Sequence, residues 1–152
     1  MKSIKYKKIL LLLIIVCLFI FIKYNFLYIT VFSSSMNPTL DVGDKIITID
    51  KHICDINIDD IIVFENHDTN INTNYLIKRV VAKEYDYVEI INNKLFINHK
   101  FIKDIGTINS PKISLLLKEN EFFVLGDNIN NSYDSRNYGP ISYEQILGKK
   151  FF

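Results

Sequence analysis

An uninterrupted apolar run near the N-terminus constrains the fold of this chain more than any other feature. Ile9 to Ile22 is wholly apolar, and the eight residues before it hold four lysines and no acidic residue. Extended to Thr30, this segment has roughly 22 residues, or about 33 Å as a helix, which is enough to cross a bilayer. A cleaved secretory signal shows the same pattern. Because the flank Lys23 to Tyr28 offers no small residues for cleavage, we favour an uncleaved membrane anchor.

The apolar run divides the chain into three expected parts. These are a basic cytoplasmic tail over 1–8, a transmembrane anchor over 9–30 and an extracytoplasmic domain over 31–152. Lysines that precede a membrane span stay on the cytoplasmic side, so they predict a cytoplasmic N-terminus and an exported domain. The expected location is therefore the cytoplasmic membrane, crossed once, with the lipid bilayer as a partner.

Composition argues against several classes of function. The formal net charge of +1 gives no electrostatic support for nucleic acid binding, which needs a strongly basic face. The three histidines are scattered without the spacing of metal ligands, so we expect no metal and no cofactor. One cysteine lies in the apolar run and the other far beyond it, which implies no disulfide. We expect the protein to be a monomer.

The sequence after Phe32 has the residue pattern of a β domain. Short β-branched and aromatic runs alternate with clusters of Asn, Asp and Gly, which predicts a mainly β, antiparallel domain. Asn92-Asn93 is typical of a hairpin turn, and Tyr143 to Leu147 predicts a short helical piece ended by Gly148. The predicted strands are Lys45–Ile49, Asp60–Phe64, Tyr75–Ala82, Tyr87–Ile91, Lys94–Ile97 and Glu121–Leu125.

A polar loop follows the last predicted strand. Gly126 to Gly139 reads G-D-N-I-N-N-S-Y-D-S-R-N-Y-G and contains two carboxylates and one arginine. Asn and Asp bond their own backbone and Gly takes positive φ, so we expect a rigid, hydrogen-bonded loop. A buried strand that ends in such a loop is a common way to build a site. The alternative is a purely structural turn that is held together by an Asp134–Arg136 pair.

Ser35 and Lys78 are the candidates for nucleophilic chemistry. On the predicted strand Tyr75–Ala82, alternation places Lys78 on the same face as Leu76 and Val80. A lysine in such surroundings either reaches solvent at a sheet edge or is desolvated, and desolvation lowers its pKa from about 10.4 toward roughly 7–8. A neutral lysine can activate a serine without histidine or aspartate.

The motifs of the chain resemble, in their order, those of bacterial type I signal peptidases. They are S-M-N-P-T-L from Ser35, G-D-K-I from Gly43, K-R-V-V from Lys78 and the whole loop from Gly126, all after an N-terminal anchor. The resemblance implies an antiparallel, barrel-like β catalytic domain with one N-terminal transmembrane helix. It also implies a serine endopeptidase that removes N-terminal signal peptides from exported preproteins.

The resemblance implies a role for each catalytic position. Ser35 matches the nucleophile and Lys78 matches the general base. Ser33 matches a residue whose hydroxyl, together with the Ser35 backbone N–H, forms the oxyanion hole. Ser132 matches a serine that orients the lysine by a hydrogen bond. Such an arrangement is physically reasonable, since a base needs an orienting partner and an oxyanion needs donors fixed in advance.

Further positions match residues that shape the site. Structural support is implied for Asp127, Asp134 and Arg136. Candidates for the shallow apolar pockets, which take small substrate side chains in this family, are Val31, Met36 and Ile77. The chain departs from the family pattern at Ser34, where glycine is frequent before the nucleophile.

Two other classes of protein deserve comparison. A self-cleaving, repressor-like protein shares the Ser–Lys pair and a related β fold, but it carries a DNA-binding domain where this chain has its apolar run. An inactive, membrane-tethered β module that binds a partner would be favoured by loss of Ser35 or Lys78. Both residues are present, so the protease remains the preferred interpretation.

Overall fold

The fold consists of a long N-terminal helix and a β-rich body. The computed structural model describes residues 2–67, 73–106 and 111–151. Within these ranges, eleven strands form two antiparallel sheets, which confirms the expected mainly antiparallel β fold with an apolar N-terminal helix. The elements are α1 (Lys2–Asn25), β1 (Phe26–Thr30), β2 (Lys45–Asp50), β3 (Ile61–Glu65), β4 (Tyr75–Ala82), β5 (Tyr87–Ile91), β6 (Lys94–Ile97), β7 (Lys100–Asp104), β8 (Ile113–Leu116), β9 (Glu121–Leu125), α2 (Ser135–Tyr138), β10 (Ile141–Ser142) and β11 (Ile146–Lys150).

Helix α1 carries the apolar run. By length and composition its stretch Tyr6–Asn25 is able to cross a membrane, and none of it is buried against the rest of the described chain. The helix ends at Asn25, and β1 follows at once, paired antiparallel with β2. α1 thus ends at Asn25, whereas the anchor was expected to extend to Thr30. The residues Phe26 to Thr30 are aromatic and β-branched, and pairing with β2 draws them into the sheet.

The larger sheet places Lys78 in its interior. The strand order is β1-β2-β11-β3-β4-β9-β10, so β4 has a hydrogen-bonded neighbour on each side. Ile62 of β3 lies opposite Lys78, and Val124 of β9 lies opposite Val80. Because β4 is not an edge strand, the interpretation of Lys78 as an edge lysine that reaches solvent is wrong.

Both faces of the larger sheet are packed. Alternation along β3 sends Ile61 and Val63 to one face and Ile62 and Phe64 to the other, and all four are buried. On the first face they pack with Val31, Met36, Leu40 and Ile46. On the second face they pack with Ile56, Val80, Phe122, Val124, Ile141 and Ile146. The first of these clusters lies beneath the segment that carries Ser35, so the hydrophobic core itself supports the nucleophile.

The smaller sheet, in the order β7-β6-β5-β8, packs behind β4 and β9. A shared cluster joins the two sheets and contains Val81, Ala82, Val88, Ile90, Leu95, Ile97, Ile105, Leu117, Phe123 and Leu125. The predicted turn at Asn92-Asn93 is confirmed: it joins β5 to β6, with φ of 50° and 60° at the two residues. Both values lie in the left-handed region that the tight hairpin turn requires.

The C-terminal helical prediction is wrong beyond Gln145. Tyr143–Gln145 forms one 3-10 turn, but Ile146 begins β11, which runs between β2 and β3. The ladder bonds to both neighbours outweigh the local helical preference of this short segment. By contrast, four predicted strands are confirmed with their bounds, namely Tyr75–Ala82, Tyr87–Ile91, Lys94–Ile97 and Glu121–Leu125.

Gly148 is expected to be intolerant of any side chain. It lies in β11 beside a register shift, and a Cβ atom there would collide with the carbonyl oxygen of Ile49 on β2. We predict that Gly148→Ala lowers the free energy of unfolding by about 1–3 kcal/mol, as overpacking does. Lys150→Ala on the same strand should change it by less than about 0.5 kcal/mol. Thermal unfolding of the full chain in detergent, followed by circular dichroism, measures both, and equal melting temperatures would contradict the prediction.

Candidate active site

The candidate nucleophile is carried by a short turn that rests on the hydrophobic core. Ser34–Met36 forms one 3-10 turn in which Ser35 and Met36 are buried. The preceding backbone is fixed to the segment before β2, because Val31 N–H donates to the Asp44 carbonyl at 2.8 Å and Val31 C=O accepts from Gly43 N–H at 2.9 Å. Val31 and Met36 pack against Ile61 and Val63 of β3, so the turn that carries Ser35 is fixed to the sheet.

Lys78 meets Ser35 at hydrogen-bonding distance. The Lys78 side chain is 2% exposed, and its Nζ donates to Ser35 Oγ at 2.9 Å and to the Ile77 carbonyl at 3.0 Å. Burial lowers the pKa of Lys78 to about 8, while the Asp134 carboxylate acts in the opposite direction. Removal of water disfavours the ammonium form, so a neutral amine next to a serine hydroxyl is accessible near neutral pH.

The two other candidate serines lie close by in different arrangements. Ser33 Oγ is 3.2 Å from Ser35 Oγ, and either hydroxyl can donate. The Ser132 hydroxyl is buried and has no hydrogen-bond partner among the described residues. It lies next to Gly126, where an added Cβ would collide with the Ser132 hydroxyl and with the Ser35 carbonyl. The predicted hydrogen bond from Ser132 to Lys78 is therefore not formed in this structure, in which the amine donates to Ser35 and Ile77 instead.

The polar loop is held together by a buried ion pair. Arg136 donates to both carboxylate oxygens of Asp134, from Nε at 2.8 Å and from Nη2 at 2.9 Å. Asp134 is fully buried, and it also caps α2 and accepts the Gly126 N–H at 3.0 Å. Arg136 Nη2 donates further to the carbonyls of Ile129 and Ser132. A single carboxylate–guanidinium pair thus joins the start, the middle and the end of the loop.

Asp127 makes its ion pair with a residue to which the sequence analysis assigned no role. Arg79 donates to Asp127 Oδ1 from Nε at 2.8 Å and to Oδ2 from Nη2 at 2.6 Å. Burial raises the pKa of Asp127, but the hydrogen bonds from Arg79 and Thr39 outweigh it and hold that pKa below its usual value. The position of Arg79 next to Lys78 was a sequence signal for a supporting role. Neighbours on a strand face opposite sides, so Arg79 could contact the site from the other face of β4.

Ser135 is a second residue that the sequence analysis missed. It is buried beside Asp134, and its Oγ accepts the Val124 N–H of β9 at 2.9 Å. The bond ties the loop back to the strand from which it leaves. A serine in a serine-rich loop gives no local sign of this contact, which joins positions eleven residues apart.

A cleft of about 900 Å³ opens over the Ser35–Lys78 pair. The three predicted pocket residues, Val31, Met36 and Ile77, all line it, as do Ser33, Ser132 and Tyr133. The walls come from β1 and the segment after it, from β4, and from the polar loop. An extended peptide could lie between these walls with its backbone next to Ser35.

The sequence of the chain matches a family model over almost its full length. The model is that of signal peptidase, peptidase S26, and it matches residues 3–152. The chain belongs to this family. The resemblance found from the motifs is thereby confirmed, and so is the interpretation of the fold as that of a signal peptidase with an N-terminal apolar helix.

Curated relatives agree with this assignment. The chain is 31% identical to signal peptidase IB of Staphylococcus aureus (strain Mu50), in a match that covers 90% of this chain and 82% of that protein. It is 35% identical to probable thylakoidal processing peptidase 2 of Arabidopsis thaliana, over 79% of this chain and 35% of the relative. The chain thus spans only about a third of the length of this plant relative.

A solved structure supports the fold. The crystal structure of a signal peptidase I from Enterococcus faecalis superposes with a TM-score of 0.51 and 24% sequence identity. The match covers 64% of this chain and 97% of that chain. At this level of identity the likeness bears on the architecture alone.

We predict that Arg136→Ala destabilises the protein. The substitution leaves the fully buried Asp134 carboxylate without its partner, which typically costs about 3–5 kcal/mol. Lys149→Ala is the matched control, because the Lys149–Asp60 pair has side chains 22% and 25% exposed and should contribute about 1 kcal/mol or less. Urea unfolding of both variants measures the difference. Equal losses would mean that the Asp134–Arg136 pair does not brace the loop.

Proposed function

We propose that the chain is a membrane-anchored serine endopeptidase that removes N-terminal signal peptides from exported preproteins. The observation that carries the proposal is the contact of 2.9 Å between Ser35 Oγ and the buried Lys78 Nζ. A hydroxyl next to a lysine whose pKa is about 8 is a nucleophile with its base in place. Membership of the signal peptidase family supports the choice of substrate.

The reaction would proceed in two steps. Ser35 Oγ attacks the scissile carbonyl carbon while its proton passes to the neutral Lys78 amine. The C–N bond then breaks, and the new N-terminal amine of the product takes that proton from Lys78. In the second step Lys78 removes a proton from water, the hydroxide attacks the acyl ester, and Ser35 recovers its proton as the signal peptide leaves.

The oxyanion of each tetrahedral intermediate needs hydrogen-bond donors. We assign this role to the Ser35 backbone N–H and the Ser33 hydroxyl, which lies 3.2 Å from Ser35 Oγ. The Ser33 side chain is exposed, so it has room to turn from Ser35 toward an oxyanion in the cleft. The Ser35 backbone N–H is fixed by the turn on the hydrophobic core, so this donor requires little reorganisation during the reaction.

The other site residues have supporting roles in this mechanism. Val31, Met36 and Ile77 would form the apolar pockets for small side chains before the scissile bond. Ser132 would come to orient Lys78 once a substrate fills the cleft, since its hydroxyl is unpaired among the described residues. Structural support of the loop falls to Asp127, Asp134 and Arg136, through the two ion pairs with their carboxylates.

The rate of cleavage should depend on pH through Lys78. Below its pKa of about 8 the amine is protonated and cannot accept the serine proton, so the rate should rise with pH and level off above about 8. Lys78→Arg should be inactive at every pH, because a guanidinium stays protonated in proteins. Ser35→Ala should also be inactive. The measurement is cleavage of a preprotein by the detergent-solubilised full chain, with sequencing of the product's new N-terminus.

Two results would contradict this mechanism. An active Lys78→Arg variant would exclude lysine as the base. A rate that stays constant between about pH 6 and 9 would show that no group with the pKa of Lys78 controls the reaction. Circular dichroism of each variant serves as the control, since an inactive variant is informative only if its sheet content is unchanged.

We propose that α1 anchors the protein with its N-terminus in the cytoplasm and the β domain outside. Support comes from the four lysines in the first eight residues and from the apolar, unburied stretch Tyr6–Asn25. Protease added to intact protoplasts should digest the β domain and leave an N-terminal tag protected. Permeabilised cells are the control, and a β domain that resists protease only in intact cells would overturn this orientation.

A further inference from the structure

Within the described part of the chain, three hydrogen bonds join the turn that carries Ser35 to the polar loop. Asn128 N–H donates to the Ser35 carbonyl at 3.0 Å, and Asn128 Nδ2 donates to the Ser34 carbonyl at 3.1 Å. The third bond joins two side chains: Asn131 Nδ2 donates to Ser34 Oγ at 2.8 Å. The nucleophile and the loop are therefore held as one unit.

The third bond differs from the other two in what it requires of the sequence. Asn128 reaches only main-chain carbonyls, which any residue at positions 34 and 35 would present. Asn131 instead needs an acceptor on the side chain at position 34, and Ser34 supplies it. Since Ser34 directly precedes the nucleophile, the bond fixes the backbone through which Ser35 Oγ is aimed at Lys78.

The same bond also fixes the far side of the site. Asn131 is followed by Ser132, whose buried hydroxyl lies next to Gly126. Asn131 lines the cleft, whereas Ser34 is not among the residues that line it. A substrate in the cleft would cover Asn131 and shield its bond to Ser34 from water, which strengthens a hydrogen bond.

We propose that Ser34 and Asn131 are positioning residues, and that their side-chain hydrogen bond holds Ser35 in register with Lys78 and Ser132. This inference rests on the proposed peptidase function and adds to it a determinant of the acylation rate. Ser34 is not among the residues that line the cleft, so its hydroxyl acts on the attack of Ser35 and not on substrate affinity. Lys78 and its surroundings are unchanged by the pair, so the pH dependence is not affected.

The test compares Ser34→Ala, Asn131→Ala and the double variant. Loss of one hydrogen bond that orients a reacting group should slow acylation about five- to tenfold. We expect each single variant to show this loss in kcat, with the pH midpoint near that of the unchanged protein. Ser34→Ala should also leave KM unchanged, because Ser34 does not line the cleft. The double variant should lose no more than either single one, because both remove the same bond.

Two further variants separate positioning from general damage. Ser34→Thr keeps a hydroxyl acceptor and should restore most of the rate. Ser114→Ala is the matched control, because its Oγ pairs with the Tyr87 hydroxyl at 2.6 Å on the exposed smaller sheet, away from the cleft. It should leave kcat unchanged. Wild-type kcat in Ser34→Ala, or multiplied losses in the double variant, would overturn the proposal.

A second readout separates this inference from the proposed function. The probe is p-nitrophenyl acetate, and acylation of Ser35 is followed by peptide mapping and mass spectrometry, without any preprotein. If the unchanged protein is acylated but cuts no preprotein, the proposed substrate is wrong, while a slower labelling of Ser34→Ala still supports the positioning role. Equal labelling rates for the two proteins would overturn that role even if preproteins are cleaved.

Discussion

Burial of the Lys78 amine on an interior strand is the constraint on which the rest of the site depends. Hydrogen-bonded neighbours on both sides of β4 deny the side chain a route past a sheet edge. With Lys78 only 2% exposed, water does little to stabilise its charge. The Asp134 carboxylate acts in the opposite direction and favours the ammonium form. Arg136 holds that carboxylate in place in a bidentate pair.

The site is assembled from three segments that are each anchored separately. The turn around Ser35 rests on the hydrophobic core, Lys78 is fixed by the register of β4, and the loop from Gly126 to Gly139 is closed by its own ion pair. Hydrogen bonds from Asn128 and Asn131 then join the loop to the turn. Because each segment has its own support, loss of one cross-link is expected to change geometry more than stability.

Strand β4 serves the site on both of its faces. Lys78 faces the cleft, while its neighbour Arg79 pairs with Asp127 at the start of the loop. The smaller sheet adds support from behind, since Ile105 belongs to the core shared by the two sheets and Ile129 of the loop packs against it. A Cβ on Gly106 would collide with the side chain of Asn130, which shows how closely the smaller sheet approaches the loop. Positioning of the loop thus depends on both sheets.

Local features could be predicted from the sequence alone. Period-two runs located strands such as Tyr75–Ala82, and the order of the motifs singled out Ser35 and Lys78, which the fold brings within hydrogen-bonding distance. The tertiary fold set the rest: Phe26–Thr30 leaves the helix to pair with β2, and β11 lies between β2 and β3. It also decided the Arg79–Asp127 pair, whose members are 48 residues apart. Contacts of this kind depend on which distant strands become neighbours. The side-chain pattern of a single segment does not contain that information.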